Sequence, residues 1–489
     1  MSALSETLFV HAATTRAMVQ DVTRRRIVRL IFALYWLLIL EGALRKWGLP
    51  QLEQVFFFIR VPVTLLLYWT AFRRRRWPRT NAPLLGYYLL AVAATVLVPL
   101  QLVAGGYGQQ YILLAGYGWV NYFLYVPLAF LIAEQFRMED LGRLARHAAW
   151  LALASCPIVF LQFFSPADSV INLGSGLDEA NQFKNLGAAL GFVRPTGFFT
   201  SDAGQGNFVA STGALLLAAF LQRRSGPSLS PLLLWAGLIA VALMVLFSQS
   251  RGLFFGLGLI LGAAVVGGLL TGRRRMLVRG VVWPALLMGA AAVLWPILFP
   301  TAFEVFMTRW SGAQESEVRL FQFGVFGRAF YGFYDFLYYL ADTPLAGYLL
   351  GLGGNAANQL DWVQLPTAAY NWQGYGAWAE GGWSRHIIEL GPLLGISFIG
   401  FRVLLTLWLA RKAVGAARRT GNTTALIVFG YVGIGLLQGQ ITGHGTINGF
   451  VWIFVGVCLA AARISREERG LFAGNNAAPH SGTRMSTDP

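Results

Sequence analysis

Four arginines stand in short polar stretches between long apolar runs. They are Arg194 in GFVRPTGFFTSDAGQGN, Arg251 in FSQSRGLFFG, Arg319 in SEVRLF and Arg385 in AEGGWSRHIIELGPLLG. A guanidinium is a planar fork of donors that stays charged at any ordinary pH, which suits it to a phosphate or a diphosphate. Arg194 lies in a Gly/Pro-shaped turn just before an apolar helix, whose first backbone amides also favour an anion. Arg251 lies in a tight turn between two apolar helices, where a charge is costly unless paired. His386 follows Arg385 and is the candidate general base; Glu389, at i+3 from it, could orient the ring, and Glu380 is a competing base. His444, in ITGHGT, is a weaker candidate. The plainer reading of any one of these cations is an ion pair with Glu304, Glu315, Glu317, Asp335 or Glu380, or an arginine stem packed at an interface.

The chemistry on offer is narrow. The chain has no DxD-type carboxylate pair, no His/Cys cluster at metal-ligand spacing, no GxxxxGK[ST] loop and no GxSxG elbow. It therefore offers nothing obvious for a metal, a nucleotide or an acyl-enzyme, and no cofactor is expected. Cys156 and Cys458 both fall inside apolar runs and define no disulfide framework.

The elements that must position these residues are membrane helices. Of 489 residues, 56% are hydrophobic and 12% charged, about half the charged share of a soluble domain. Apolar stretches of roughly 18 residues or more can each cross a hydrocarbon core of about 30 Å. They fall at 27–44, 52–72, 82–103, 111–133, 148–165, 206–222, 231–249, 252–271, 281–299, 386–410, 424–440 and 446–463. The expected fold is thus an all-α polytopic membrane protein of about twelve transmembrane helices. The net charge of +16 is concentrated in alternate connections, such as Arg73 to Arg76 and Arg273 to Arg275. With both tails included, about 27 of the 38 lysines and arginines face one side, which the positive-inside rule makes cytoplasmic. Both termini then lie in the cytoplasm. The basic residues form no interleaved basic-aromatic face, so no nucleic-acid partner is expected.

The organisation that follows is a cytoplasmic tail at 1–26, helices one to nine over 27–299, a large outer loop at 300–385, helices ten to twelve over 386–463, and a disordered cytoplasmic tail at 464–489. A second outer loop covers 166–205. The segment WSGAQESEVRLFQFGVFGRAFYGFYDFLYYL is rich in aromatics and able to pack, and its best helix is expected from Ser316 to Leu340. PLAGYLLGLGGN reads as a Pro/Gly-punctuated turn near the membrane surface.

From about residue 110 onward the chain resembles the superfamily of O-antigen ligases and Wzy-type polysaccharide polymerases. The likeness rests on RPTGFF before a span, SQSRG between two spans, SEVRLF in a long outer loop, PLAGYLLGLGGN, and IELGPLLGISFIGF opening the next helix. His386 is followed by Ile387, where ligases commonly carry Asn, Ser or Gln, and the first hundred residues carry no matching motif. The resemblance implies a periplasmic active site shaped by the loop between helices nine and ten. It further implies metal-independent, inverting glycosyl transfer from an oligosaccharide on undecaprenyl diphosphate. Arg194, Arg251, Arg319 and Arg385 would then bind the diphosphate, and His386, Glu380 or Glu389 would act on the acceptor hydroxyl. The expected partners are that lipid-linked oligosaccharide, membrane lipid, and polysaccharide export and chain-length proteins. A polymerase of the bacterial inner membrane is the first expectation; a ligase moving finished polymer to a lipid or protein, and a transporter or flippase of a lipid-linked glycan, are the alternatives.

Overall fold

The computed structural model describes residues 2–104, 110–174, 189–222, 226–272, 278, 282–321, 324–341, 343 and 381–476. Every regular element among them is a helix. The first part of the chain gives α1 (Ser2–Ala43), α2 (Glu53–Phe58), α3 (Arg60–Arg73), α4 (Ala82–Ala104), α5 (Gln110–Trp119), α6 (Val126–Gln135) and α7 (Met138–Phe164). The middle gives α8 (Asp202–Leu221), α9 (Pro231–Phe247), α10 (Arg251–Thr271), α11 (Trp283–Leu298), α12 (Pro300–Phe321), α13 (Gly324–Tyr331) and α14 (Phe336–Leu340). The last three are α15 (Gly382–Thr420), α16 (Thr424–Gln438) and α17 (Gly445–Asn476).

The expected spans fall on helical residues, but 52–72 is divided between α2 and α3 and 111–133 between α5 and α6. Eight stretches are long and apolar enough to cross a membrane, and Ala82–Leu97, Pro231–Phe247 and Thr424–Gln438 are shorter apolar helices. The chain is thus read as a multi-pass membrane protein. Its helices sort into a centre and a periphery. In α8 and in Gly445–Glu467 the apolar window is 83% and 89% buried, whereas in Val55–Arg73 it is 22% buried. The peripheral helices turn Leu65, Trp69 and Phe72 of α3, and Leu89, Val92 and Val96 of α4, outward. In water such a surface would be a standing penalty; in hydrocarbon it matches its solvent.

The connections sort by end. Arg24 of α1 pairs with Asp140 at 2.6 Å, the Arg79 amide donates to Glu134, and Arg463 of α17 donates to the Ala133 carbonyl. At the same end Gln222, after α8, donates to Thr423 between α15 and α16. At the opposite end Lys46 reaches the Thr196–Gly197 turn, Trp47 reaches the Val170 carbonyl, and Arg60 reaches the Gly445 carbonyl.

Three expected boundaries shift: the tail expected to be disordered from 464 continues α17 as helix to Asn476. The helix expected from Ser316 to Leu340 is instead α12, α13 and α14, because Gly324 at φ 59° breaks it and a turn over 332–335 breaks it again. The span expected at 148–165 begins ten residues earlier at Met138, because Asp140 accepts a hydrogen bond from the Arg137 amide and closes the helix start. PLAGYLLGLGGN, Glu380, Arg273 to Arg275 and the tail from residue 477 lie outside the described residues.

Candidate functional site

At the end of the bundle away from the arginine-rich connections, the RPTG turn is fixed from two sides. Gln162 of α7 accepts from the Thr196 and Gly197 amides at 3.0 and 2.8 Å. Lys46 donates to the Thr196 hydroxyl at 3.0 Å and to the Gly197 carbonyl at 2.8 Å. Gly197 has φ 57°, and a Cβ there would lie 2.3 Å from Gln205 Oε1, so this close turn needs glycine. Lys46 sits on a π-helical turn, Leu44–Gly48, a distortion that re-aims side chains and recurs at functional sites. The fixed turn delivers Arg194 onto Asp202, in the first turn of α8, as an ion pair.

The SQSRG turn brings a second arginine. Ser250 caps α10 by accepting from the Leu253 amide, and Arg251 opens the helix. Gln249 before it adopts φ 52°, is 1% exposed, and donates to the Val193 carbonyl, tying this turn to the residue before Arg194. Arg251 then forks onto Glu317 of α12 with bonds of 2.9 and 2.8 Å, and Arg328 of α13 joins the same carboxylate at 2.9 Å. Burial alone would raise the Glu317 carboxyl, but the hydrogen bonds from Arg251 and Arg328 outweigh it and hold it below its usual value.

Arg309, also on α12, is within electrostatic reach of Arg194, Asp202 and Arg251. Burial, then the charges of Arg194 and Arg251, hold its guanidinium down to about 10, with Asp202 opposing. It remains charged at neutral pH, in a field that an arriving anion would relieve. The N-termini of α8 and α10, each with a Ser cap, add their partial positive charge here.

Arg385 approaches from α15. Its Nη1 rests against the ITGHGT turn so closely that a Cβ on Gly443 would lie 1.8 Å from it. The neighbouring His444 imidazole is held down to about 4, by burial first and by Arg385 second, with Asp202 opposing. Arg385, His444 and Asp202 therefore share one neighbourhood, and through Asp202 it joins Arg194 and Arg309. Arg194 pairs with Asp202, and Arg251 and Arg328 pair with Glu317, while Arg309 is within electrostatic reach of Arg194 and Arg251 and Arg385 within reach of His444. An excess of fixed positive charge on helix ends suits a multivalent anion.

His386 occupies a different place from the one its sequence neighbours suggest. Residues 16 apart on one straight helix would be about 24 Å apart, yet Arg402 Nη1 donates to His386 Nε2 at 2.7 Å. The chain folds back on itself at Gly391, with φ 81° and ψ 168°, followed by Pro392. The other ring nitrogen, Nδ1, meets the Tyr122 hydroxyl at 3.0 Å. Because arginine can only donate, Nε2 is the acceptor and Nδ1 carries the proton. With 0% exposure and both nitrogens engaged, this imidazole does not fit the expected role of a base open to substrate. Nor does Glu389 hold its ring, since Tyr122 and Arg402 occupy both nitrogens; Glu389 is 2% exposed and within electrostatic reach of Tyr122.

Arg402 is fixed by a separate requirement. It is 0% exposed and donates to the carbonyls of Leu436, Gly435 and Gly439, at or just past the C-terminal turn of α16. The Gly435 and Gly439 carbonyls also accept from the Gly439 and Ile441 amides, and the cation adds a second donor there and complements the helix dipole.

The structure thus brings Arg194, Arg251 and Arg385 into one region and leaves Arg319 outside it. Arg319 is exposed and lies two residues past Glu317, about 200° around α12 from the carboxylate that Arg251 grips. Arg309 and Arg328 take the place expected of it. Sequence reading treats both as ordinary ion-pairing cations of the loop; the usable signal is that Arg309 and Glu317 lie eight residues apart, close to one face of a helix. Lys46 and Tyr122 carry no motif, although both fall on π-helical turns. A comparison of the sequence with protein-family models and with curated proteins found no match.

Proposed function

We propose that the chain is a glycosyltransferase of the bacterial inner membrane that polymerises oligosaccharide units carried on undecaprenyl diphosphate. The observation that supports this reading is the gathering of Arg194, Arg251, Arg309 and Arg385 at one end of the bundle. A membrane-anchored diphosphate presents its charge at that depth, with its lipid beside the peripheral helices. In the proposed step an acceptor sugar hydroxyl attacks the donor's anomeric carbon. A new C–O bond forms on one face while the bond to the diphosphate oxygen breaks on the other, inverting the centre. The electron pair leaves on the diphosphate, where the guanidinium groups receive it, each such donor contributing about 3 kcal/mol to the transition state. The proton passes to His444, which is half-buried beside Arg385. The diphosphate, by offsetting Arg385, would raise the basicity of that imidazole as it binds.

The deep charges speak against transport. Arg60 pairs with Glu41 at 2.6 Å, and Arg402 is spent on helix-end carbonyls, so neither stands ready for a moving substrate at mid-membrane. The test is deletion of the gene in its host, with lipid-linked glycans and surface polysaccharide resolved by gel and mass spectrometry. Single repeat units accumulating on their carrier, with long polymer missing, is the expected result. Long polymer stranded on its carrier would make the protein a ligase, and unchanged pools would end the glycosyltransferase reading. Complementation with Arg309→Gln is expected to lower polymer yield about 100-fold.

A further inference from the structure

A groove of about 1390 Å³ runs between α4 and α15 on the periphery of the bundle. On α15 its lining follows one helical face, from Ser397 and Gly400 through Leu404 and Leu407 to Arg411 and Arg418. On α4 it is lined by Pro83, Gly86, Leu89 and Leu90. The space is open at Gly86 and Gly400: a Cβ on Gly400 would meet nothing within 4 Å, and one on Gly86 would only touch Phe401. The walls are apolar over most of the length and exposed to the membrane, with Leu89 65% and Leu404 69% exposed.

The end of the groove is different in kind. Arg411, Arg418 and Arg419 all line it within the last three turns of α15, and no acidic residue lines it anywhere. This is the arginine-rich end of the bundle, where topology alone would account for basic residues in a loop. It does not account for three guanidinium groups arranged at the mouth of an apolar channel without a carboxylate. Like charges gathered at one mouth raise one another's energy, and an anion seated there would offset this. The occupant that fits both parts is amphiphilic, with hydrocarbon for the channel and a phosphate at its head.

We propose that this groove is a binding site for an anionic glycerophospholipid of the leaflet on the arginine-rich side. Its acyl chains lie between α4 and α15 and its phosphate is held by Arg411, Arg418 and Arg419. The site lies at the opposite end of the helices from the candidate functional site and does not depend on the proposed function.

The experiment uses the full-length protein, stripped of lipid in a neutral detergent and titrated with dioleoyl phosphatidylglycerol or dioleoyl phosphatidylcholine by native mass spectrometry. The two lipids share their chains and differ in head-group charge. The phosphatidylglycerol adduct is expected to form at least about tenfold more tightly. Arg411→Gln, Arg418→Gln and Arg419→Gln together should bring the ratio of the two lipids close to one. Gly400→Leu, which fills the channel, should weaken both adducts. Arg143→Gln with Arg146→Gln, on the same face but outside the groove, should leave the ratio as it was. An unchanged ratio in the triple variant overturns the proposal, as does an equal loss in the control pair. A dimer peak that Gly400→Leu abolishes would assign the groove to a second copy of the chain instead.

Discussion

Arg385 and Gly443 set the sharpest constraint on a single side chain. The guanidinium occupies the space that a Cβ at position 443 would need, at 1.8 Å, and the obstacle is the far end of a flexible side chain. Gly443→Ala should therefore displace Arg385 without unfolding the protein: under the proposed function, glycan polymerisation by membranes should fall by roughly tenfold or more, while the thermal unfolding midpoint stays within about 2 °C. His386 makes the opposite case. Its two nitrogens bridge Tyr122 and Arg402, so His386→Gln should cost about 1–3 kcal/mol of stability by leaving a buried charged donor poorly matched. Activity measured across pH in the surviving protein should keep the shape of the parent profile. Loss of the acidic limb in that variant would return His386 to the role of general base.

At the scale of elements, the fold-back in α15 is the feature on which Arg385, His386 and Arg402 all depend. Gly391 adopts φ 81° with ψ 168°, a region essentially reserved for glycine, and a Cβ on Gly395 would come within 2.7 Å of the His386 carbonyl oxygen. Gly382 likewise lies against the end of α16, where a Cβ would be 2.5 Å from the Gln438 carbonyl. The segment before Gly391 is thus a short helix pressed against the membrane helix that follows it. Gly391→Ala should destabilise the protein by about 1–3 kcal/mol. Backbone hydrogen exchange over 382–390 should rise with it; protection there equal to the parent's would mean that the turn is not strained by a side chain.

Across the whole molecule, the outer connections hold one another through charge. The 438–445 connection meets α15 at Arg385 and comes within electrostatic reach of α8 at Asp202, with His444 between them. The folded chain holds this imidazole at about 4, below the ordinary 6.5, so folding favours the neutral ring. The stabilisation is complete above about pH 6.5 and is lost as the pH falls from there toward 4, where the unfolded chain binds a proton that the folded one refuses. Thermal unfolding in detergent should therefore show a midpoint that declines over that window. His444→Gln should flatten this decline, and an identical slope in the variant would place the pH dependence elsewhere.

The membrane-helix architecture was legible without coordinates. Hydrocarbon thickness fixes how many apolar residues a span needs, and the arginine clusters at Arg73 to Arg76 and Arg411 to Arg419 mark one and the same end, so one-dimensional patterns carry both facts. The placement of Arg194 and Arg251 at one end of the bundle was equally legible, since each sits in a turn of fixed side. Their convergence with Arg309 was not, nor was the exclusion of Arg319, because both depend on how α12 is rotated about its axis against α8 and α10. Nothing in the sequence of WSRHIIELGPLLG says that Gly391 turns the chain back on itself. A straight helix would have left His386 about 24 Å from Arg402 and open to the surface; the fold-back brings them to 2.7 Å and buries the ring. Periodicity reports which residues avoid water, while hydrogen-bond partners across α15, α16 and the Tyr122 turn are set by packing in three dimensions, where the carbonyls at the end of α16 accept from the buried Arg402.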